Sequence, residues 1–321
     1  MRVGVIRGGP SAEYEVSLQT GQSVLTHLPE KYSRQDILID RSGLWHLGGL
    51  PTAPARIARQ VDVFFNALHG EYGEDGQVQS VLDGLNVPYT GSSVAPSALS
   101  MNKVQAKEIF RRHGLKVPPG LALAIEPTAT LDDRDLARQV FEKVSPPWII
   151  KPVNGGSSVG LFFAASFPAL VQALVAARAV AQALLVEHYL CGREATCGVV
   201  DNFRTREVYA LPPIEIRRPG QKKVWTYDDK YNGQTAEICP ADFSDEEKRQ
   251  IEEAAVAAHR ALGLRHYSRS DFILTPYGLY LLETNSLPGL TKESLLPKAL
   301  AAVGCSYADF LDHVIGLALA R

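Results

Sequence analysis

The apolar positions of the first ninety or so residues alternate between strand patterns and a helical pattern. Residues 2–6 (RVGVI) form a short β-branched run that leads into a glycine-rich turn. The apolar spacing that follows is typical of a helix that begins near Ser11, with Glu13 and Glu15 in an acidic first turn. Residues 61–70 (VDVFFNALHG) then form a second buried strand. A strand, a helix and another apolar strand predict a parallel α/β layer.

After this layer the chain changes to short apolar strands separated by longer helices. Residues 147–152 (PWIIKP) and 159–164 (VGLFFA) are predicted as two strands joined by a glycine–serine loop, and 184–190 (LLVEHYL) as a further strand. In the last third, Ser244 caps a helix and Glu247 completes a capping box. We therefore predict an α/β chain of three lobes. The predicted lobes are residues 1–92, 93–187 and 188–321.

Composition and charge narrow the class of protein. The 321 residues are too many for one ordinary domain, and 45% hydrophobic with 21% charged residues is typical of a soluble globular protein. The formal net charge of −2 provides no basic field for nucleic acid, and no long apolar run suggests a membrane span. The four cysteines form no C-x-x-C pair and suit a reducing compartment. We expect a cytoplasmic protein that binds neither nucleic acid nor membranes.

Four polar residues stand at matched places in an apolar hairpin near the C-terminus. Facing residues of an antiparallel hairpin have residue numbers with a constant sum, and a turn centred on Tyr277 sets that sum. Asp271 then faces Glu283, and Arg269 faces Asn285. Because side chains alternate between the two faces of a sheet, all four share one face.

The four side chains of this hairpin suit a metal and phosphate site. Two carboxylates and an amide oxygen form an oxygen-only set of donors, which Mg²⁺ prefers. The neighbouring Arg269 is suited to clamp a phosphate or a developing oxyanion. The alternative is a structural ion pair of Arg269 with Asp271 or Glu283 on a solvated sheet face. The hairpin pattern alone gives the two interpretations similar weight.

A glycine–serine loop follows the predicted strand that ends with Lys151 and Pro152. Residues 155–160 read GGSSVG, and glycines let backbone N–H groups wrap an anion while a lysine adds a positive charge. The segment is not a P-loop, because the chain contains no G-x-x-x-x-G-K-[ST]. Taken alone, the loop is explained by a flexible hairpin turn, and Lys103 by a solvated helix charge. Both are candidates for phosphate contacts.

Seven segments, taken in order, resemble the D-alanine–D-alanine ligase family of the ATP-grasp superfamily. The segments are GGPSAEYEVSL (8–18), ALHGEYGEDGQVQ (67–79), PYTGSSVAPSALSMNK (88–103), IIKPVNGGSSVG (149–160), DDKYNGQTAEICPA (228–241), SRSDF (268–272) and LLETNSLPGLTKESLLP (281–297). The resemblance covers essentially the whole chain. It implies a three-lobed ATP-grasp fold with an N-terminal parallel α/β domain, and a homodimer.

The resemblance also implies the residues of a nucleotide and metal site. Phosphate contacts would come from the two lysines and from a lid formed by the glycine–serine loop, and the adenosine contacts from the strand that follows. The implied ATP-binding residues are Lys103, Lys151, Ser157, Ser158, Glu187, His188, Tyr189, Leu190 and Glu194. Asp271, Glu283 and Asn285 would hold two Mg²⁺ ions, with Mn²⁺ as a substitute.

The resemblance further implies how two D-alanine molecules are held. Glu13 would bind the ammonium of the first, with His69 close by, and Arg269 with the backbone N–H near Gly289 would stabilise the oxyanion. Further implied residues are Ser294 and Leu295 at the carboxylate of the second D-alanine, Lys230 and Tyr231 in a mobile loop, and a triad of Tyr231, Ser157 and Glu13 that closes it.

The implied activity is the ATP-dependent formation of D-alanyl-D-alanine, a peptidoglycan precursor, through D-alanyl phosphate. Ligation of D-alanine to D-serine or D-lactate is an alternative, as is a nucleotide-binding relative that has lost catalysis. The pair Lys230–Tyr231 favours D-alanine over D-lactate as the acceptor, because lactate-forming relatives tend to lack it. Intact Asp271, Glu283 and Asn285 argue against the silent relative.

Overall fold

Three β-sheets with flanking helices form the framework of the computed structural model, which describes residues 1–124, 132–156, 160–217 and 235–320. Their order along the chain alternates strands with helices, as expected for an α/β protein. The strands are β1 Arg2–Gly8, β2 Ser33–Ile39, β3 Trp45–Leu47, β4 Leu50–Pro51, β5 Val63–Asn66, β6 Gly120–Ala124, β7 Trp148–Pro152, β8 Phe162–Ala164, β9 Ala183–His188, β10 Arg193–Phe203, β11 Arg206–Ala210, β12 Ile214–Arg217, β13 Ala236–Ile238, β14 Tyr267–Thr275 and β15 Gly278–Asn285. The helices are α1 Tyr14–His27, α2 Pro54–Ala58, α3 Gln77–Leu85, α4 Val94–Met101, α5 Lys103–Arg112, α6 Asp133–Lys143, α7 Phe167–Arg178, α8 Asp245–Ala261, α9 Leu295–Ala302 and α10 Tyr307–Leu319.

The N-terminal sheet has the strand order β4-β3-β2-β1-β5, with β1 parallel to both β2 and β5. The predicted parallel α/β layer is therefore confirmed, and an antiparallel pair, β3 and β4, extends it at one edge. The predicted helix start near Ser11 is wrong by three residues, because α1 begins at Tyr14. The Ser11 hydroxyl donates instead to the carbonyl oxygen of His69 at 2.6 Å, which keeps this segment in a loop.

The central sheet is antiparallel and has the order β6-β9-β7-β8. The two predicted strands on either side of the glycine–serine loop are present as β7 and β8, and they pair directly in antiparallel fashion. Helices α6 and α7 pack on this sheet around Trp148, Leu174 and Val186. The apolar core of this lobe thus lies between one sheet face and two helices.

The C-terminal sheet has the order β13-β12-β10-β14-β15, with β11 also on β10. The predicted pairs Arg269–Asn285 and Asp271–Glu283 are both present in the register of β14 and β15. The predicted turn is wrong by one residue, since β14 ends at Thr275 and β15 begins at Gly278. A β-bulge after Asp271 makes up the difference, because a bulge adds one residue to one strand. The polar end of the hairpin keeps its predicted register for this reason.

Helices from two places in the chain join the lobes. Helix α5 packs in the apolar core of the C-terminal sheet, where Phe110 meets Phe272 and Leu281. Near the end of the chain, α10 packs against the N-terminal sheet, where Phe310 and Val314 share a core with β1 and β5. The lobe boundaries at 92 and 187 stay predictions. The loops of all three lobes are brought together at one cleft by this packing.

The capping box of α8 is present as predicted: Ser244 Oγ accepts from the Glu247 N–H at 3.2 Å, and Glu247 Oε2 accepts from the Ser244 N–H at 2.7 Å. No single helix among the described residues is long and apolar enough to cross a membrane. Helices α9 and α10 pass that test only as a pair, and a bend of 104° separates them.

Candidate active site

One cleft collects predicted residues from all three lobes. Its walls are the loops after β1 and β5, the β7–β8 loop, the polar end of the β14–β15 hairpin and the start of α9. The predicted site residues that line it are Glu13, His69, Lys103, Arg269, Glu283, Asn285, Gly289, Ser294 and Leu295. Glu13 and Leu295, which are 282 positions apart in the chain, therefore line the same cleft.

Arg269 and Asp271 form a two-pronged ion pair at the hairpin end of this cleft. Arg269 Nε and Nη2 donate to the two carboxylate oxygens of Asp271 at 3.0 and 2.9 Å, and Thr196 Oγ1 on β10 donates to Asp271 Oδ1 at 2.6 Å. The ion pair of the alternative interpretation is therefore present, but its two side chains are only 15% and 17% exposed, so it does not lie on a solvated sheet face. Burial opposes the charge of Arg269, yet the Asp271 carboxylate, with Glu283 beyond it, raises the pKa of the guanidinium.

The same hairpin end offers oxygen donors for a divalent cation. Asp271 and Glu283 face each other across the two strands, and Asn285 stands opposite Arg269. Asn285 Oδ1 accepts from the N–H of Leu287 at 2.9 Å, which orients its amide. Two carboxylates and an amide oxygen fit Mg²⁺, which completes its shell with waters and substrate phosphates rather than with a protein cage. Within the described ranges no group of three or more His, Cys, Asp or Glu side chains forms such a cage.

Two lysines and one glutamate form a buried network at the other side of the cleft, next to Lys103. Lys103 donates to the carbonyl oxygen of Gly155, at the start of the glycine loop. The Glu187 carboxylate is paired with Lys151 Nζ at 2.8 Å and with Lys107 Nζ at 2.9 Å. Sequence reasoning missed Lys107. The available signal was its spacing of four from Lys103, which puts both lysines on one face of α5.

Burial and the shared carboxylate set the protonation of this network. Burial lowers the pKa of Lys107 to about 8, although the Glu187 charge opposes it. Burial also acts against the charge of Lys151, but Glu187 and Glu283 raise its pKa overall. Burial disfavours the Glu187 carboxylate, and the two ammonium groups lower its pKa. All three groups therefore carry their charges near neutral pH, and together they have one surplus positive charge.

A second buried cluster surrounds His69 on the N-terminal side of the cleft. His69 Nε2 is hydrogen-bonded to Thr20 Oγ1 at 2.8 Å, and its Nδ1 lies 3.6 Å from Glu74 Oε1. Burial opposes protonation of His69, but Glu74 raises its pKa, and burial raises the pKa of Glu74. Glu74 was missed because its segment, GEYGED, holds several acidic residues and no spacing distinguishes the one that points inward.

Glu13 faces the glycine loop across the cleft. A Cβ atom placed on Gly156 would lie 3.0 Å from Glu13 Oε1, and one on Gly70 would lie 3.2 Å from the same oxygen. The two glycines therefore allow the backbone to approach the carboxylate closely. The N-terminal lobe and the β7–β8 loop thus meet at Glu13; the predicted triad with Ser157 and Tyr231 stays a prediction.

The start of α9 presents an open helix N-terminus to the cleft. Ser294 is the N-cap, but its side chain makes no capping hydrogen bond; Ser294 Oγ instead accepts from the Thr291 N–H at 3.1 Å. Gly289 packs against this serine, because a Cβ on Gly289 would lie 2.9 Å from Ser294 Oγ. The first N–H groups of a helix are unpaired within it and favour an anion.

The remaining predicted residues lie apart from the cleft lining or outside the described ranges. His188 Nδ1 is bonded to the carbonyl oxygen of Ser145 at 2.9 Å, and Tyr189 meets Phe163 edge to face with ring centroids 5.2 Å apart. Glu194 lies on β10 opposite Ile273. Leu190 follows β9 and is half-buried. Ser157, Ser158, Lys230 and Tyr231 lie outside the described residues.

Known families match this chain over most of its length. The model described as "D-ala D-ala ligase N-terminus" matches residues 50–92, and "D-ala D-ala ligase C-terminus" matches residues 109–316. The D-alanine–D-alanine ligase of Desulfotalea psychrophila is 40% identical over 100% of this chain and 96% of that protein.

Solved structures share the whole fold. The D-alanine–D-alanine ligase from Bacillus anthracis complexed with ATP has a TM-score of 0.80 and 30% identity, and the match covers 100% of this chain and 98% of that one. VanG D-Ala:D-Ser ligase from Enterococcus faecalis has a TM-score of 0.85 and 28% identity, with 99% of each chain covered.

The three lobes and the cleft between them therefore define an enzyme of the ATP-grasp ligase class. The family models and the full-length identity then identify the family: the chain belongs to the D-alanine–D-alanine ligases. The resemblance carried by the seven sequence segments is confirmed.

Proposed function

We propose that this enzyme joins two D-alanine molecules at the expense of one ATP, for the synthesis of peptidoglycan precursors. The observation that carries the proposal is one cleft, lined by Lys103, by the oxygen-rich hairpin end and by an open helix N-terminus, with the buried Lys151–Glu187 pair near Lys103. These groups match the charges of a triphosphate, a divalent cation and the carboxylate of an amino acid, in that order. The enzyme would act in the cytoplasm, where ATP is supplied, and as a homodimer.

The nucleotide would lie between the lysine network and the hairpin. Lys103 and Lys151 would contact its phosphates, and Glu187, His188, Tyr189 and Leu190 would line the adenine, with Glu194 at the ribose. Asp271, Glu283 and Asn285 would hold two Mg²⁺ ions; when bound, these neutralise the phosphate oxygens. For the first step, the chain's residues position a carboxylate oxygen of D-alanine against the γ-phosphorus, so that D-alanyl phosphate and ADP form.

The first D-alanine would lie between Glu13 and the His69 cluster. Its ammonium carries a positive charge, and the Glu13 carboxylate reaches the cleft beside the glycine loop. His69 is buried and held by Thr20 and Glu74, so that it presents one fixed face to the substrate. A rigid wall of this kind holds the reacting carboxylate close to the phosphate, which is a large part of catalysis.

The second D-alanine would place its carboxylate at the start of α9, on Ser294 and the N–H of Leu295. Its neutral amine then attacks the acyl carbon of D-alanyl phosphate, and the carbonyl oxygen becomes an oxyanion. Arg269 and the N–H near Gly289 would stabilise that charge, after which the acyl C–O bond breaks, phosphate leaves and the attacking nitrogen gives up one proton to the departing phosphate. Acyl phosphates hydrolyse readily, so the site must exclude water while both steps occur. Ser157, Ser158, Lys230 and Tyr231 would provide that closure.

A second candidate is ligation of D-alanine to D-serine. The match to VanG D-Ala:D-Ser ligase, at a TM-score of 0.85, favours keeping this candidate. Serine differs from alanine by one hydroxyl, and a site that does not bind that hydroxyl discriminates weakly against it.

Phosphate release from Mg-ATP tests the proposal. We expect release with D-alanine as the sole amino acid, together with a dipeptide detected by mass spectrometry. Parallel reactions contain D-serine, D-lactate or L-alanine in addition. Phosphate release only after one of these compounds is added would identify that compound as the acceptor, and the proposed reaction with ATP would be retained. If no mixture releases phosphate although the protein binds ATP, the protein is a relative that has lost catalysis.

Gly289→Ala is expected to weaken the binding of the second D-alanine without weakening the binding of ATP. The new Cβ would lie 2.9 Å from Ser294 Oγ and displace it from the proposed carboxylate site. We expect the D-alanine concentration at half-maximal velocity to rise about tenfold, as for the partial loss of one charged hydrogen bond. Steady-state kinetics with varied D-alanine and with varied ATP check this.

Gly84→Ala is the matched control for that substitution. Gly84 lies in α3, and a Cβ there has nothing within 4 Å. It should leave both substrate dependences unchanged. An equal rise in the half-saturating ATP concentration with Gly289→Ala would contradict the assignment of this part of the cleft to the second amino acid.

A further inference from the structure

Lys107 is a fully buried lysine behind the phosphate end of the cleft. Its side chain is 2% exposed and lies on α5, whose Phe110 packs with Leu281 in the C-terminal core. Its ammonium is 2.9 Å from Glu187 Oε1 and donates to the carbonyl oxygen of Leu282 at 2.7 Å. Lysine is almost never fully buried without such partners, because desolvating the charge is costly.

The contacts of Lys107 connect two lobes at the nucleotide cleft. Glu187 and Lys151 lie on β9 and β7 of the central sheet, next to residues of that lobe's apolar core. Leu282 lies on β15 of the C-terminal sheet, at the β-bulge and directly before Glu283. One ammonium group therefore holds a carboxylate of one lobe and the bulged strand of the other.

The charge balance of the network depends on Lys107. The Glu187 carboxylate is shared by two ammonium groups, at 2.9 Å from Lys107 and 2.8 Å from Lys151. Lys151 is 11% exposed and is the member proposed to reach the phosphates, whereas Glu187 is 3% exposed. Without Lys107, Glu187 and Lys151 would form a neutral pair, and the positive potential toward an anion would fall. Such charge effects are strong in a buried site because the effective dielectric constant is low.

We infer that Lys107 is a positioning residue for the nucleotide: it shares the Glu187 carboxylate so that Lys151 keeps a surplus positive charge for phosphate. Lys107 also binds the carbonyl oxygen of Leu282 in the bulge before Glu283. This contact fixes the distance between the two sides of the cleft that face the phosphates. The inference rests on the proposed function only in taking Mg-ATP as the ligand of Lys151. It does not depend on which amino acids the enzyme joins.

Calorimetric binding of a non-hydrolysable ATP analogue with Mg²⁺ tests the inference on the full chain. Lys107→Met keeps an unbranched side chain that is one heavy atom shorter, and it removes the charge. We expect the Kd of the analogue to rise about tenfold, a common effect of removing one nearby charge. The D-alanine concentration at half-maximal velocity should stay the same when ATP is saturating. Lys116→Met is the matched control, because Lys116 donates to the Tyr277 carbonyl at the exposed hairpin turn, away from the cleft.

The double variant Lys107→Met/Glu187→Gln distinguishes charge balance from a merely structural role. It removes one positive and one negative charge, so Lys151 again provides the surplus. We expect the analogue's Kd to fall at least about threefold below that of Lys107→Met; full recovery is not required, because Glu187 is itself proposed to line the adenine. Where Lys107→Met alone does not fold, the double variant is compared with Glu187→Gln, which shares the altered Glu187: a Kd about tenfold higher supports the inference and equal affinity overturns it.

Two outcomes would overturn the inference. One is equal affinity in Lys107→Met and the wild type; the other is weakening in Lys107→Met that the double variant does not reverse. Failure of the proposed function gives a different result, namely a wild-type protein that binds the analogue and forms no dipeptide. The ratio of affinities between variant and wild type then still decides the role of Lys107.

Discussion

Arg269→Lys is expected to reduce kcat of dipeptide formation by about 100- to 1000-fold, the usual cost of removing a donor to an oxyanion. Arg269 uses two nitrogens to hold Asp271 and still points donors into the cleft. A lysine keeps the charge, so Asp271 stays paired and the fold is preserved. It has a single nitrogen, however, and cannot bind Asp271 and an oxyanion in the same planar arrangement. Rapid-quench measurement of dipeptide at saturating substrates checks this prediction.

Arg193→Lys is the matched control for this substitution. Arg193 also donates to a carboxylate, Glu215, at 2.9 Å, but it is not among the residues that line the cleft. Its replacement should leave kcat close to the wild-type value. If the two variants lose activity equally, Arg269 has only a structural role. Formation of ADP without dipeptide in Arg269→Lys would place the loss in the second step, as proposed.

Glu283→Gln is expected to lower phosphate release by roughly a thousandfold, or about 4 kcal/mol of transition-state stabilisation. The amide keeps the shape of the side chain but removes one of the two carboxylates proposed to bind Mg²⁺. Glu283 also acts through its charge on the cations around it: it opposes the burial that lowers the pKa of Lys103, and it contributes to the raised pKa of Lys151 and of Arg269. Measurements of phosphate release across a wide range of Mg²⁺ concentrations should show a higher half-saturating concentration as well as a lower maximum.

Glu207→Gln is the control for the removal of one carboxylate. Glu207 pairs with Arg260 on the surface and is 82% exposed, so its loss should change neither quantity. Full activity of Glu283→Gln at the Mg²⁺ concentration that saturates the wild type would refute the proposed metal site. Loss of activity with an unchanged Mg²⁺ dependence would retain Glu283 as an electrostatic partner of the lysines and remove it from the metal ligands.

The proposed ligation also explains why so many charged groups are buried in one place. Lys107, Lys151, Glu187, Arg269 and Asp271 are each held by a partner of opposite charge. Partnered charges remain charged without bulk water, and they need not reorganise when a reaction creates new charge. Burial of this kind is costly for folding, so its concentration around one cleft is expected at a site where it serves catalysis.

The sequence by itself determined the features that depend on local periodicity. Alternation along β14 and β15 put Arg269, Asp271 and Glu283 on one face, since side chains of a strand point to opposite faces in turn. The capping box of α8 followed from two residues three positions apart. The seven segments, taken in order, also identified the family, because each segment is recognised from its own sequence without information on tertiary packing.

Only the tertiary structure decided which residues meet across the chain. The bulge at Leu282 offset the misplaced turn, and no spacing in the sequence predicted it. Lys107 and Glu187 are 80 positions apart, and their contact exists because α5 packs on the C-terminal sheet while β9 belongs to the central one. Glu74 was selected from an acidic segment by the way its loop folds over His69. Such contacts depend on how whole sheets and helices pack against one another. The spacing of residues along the chain does not predict which of these elements come into contact.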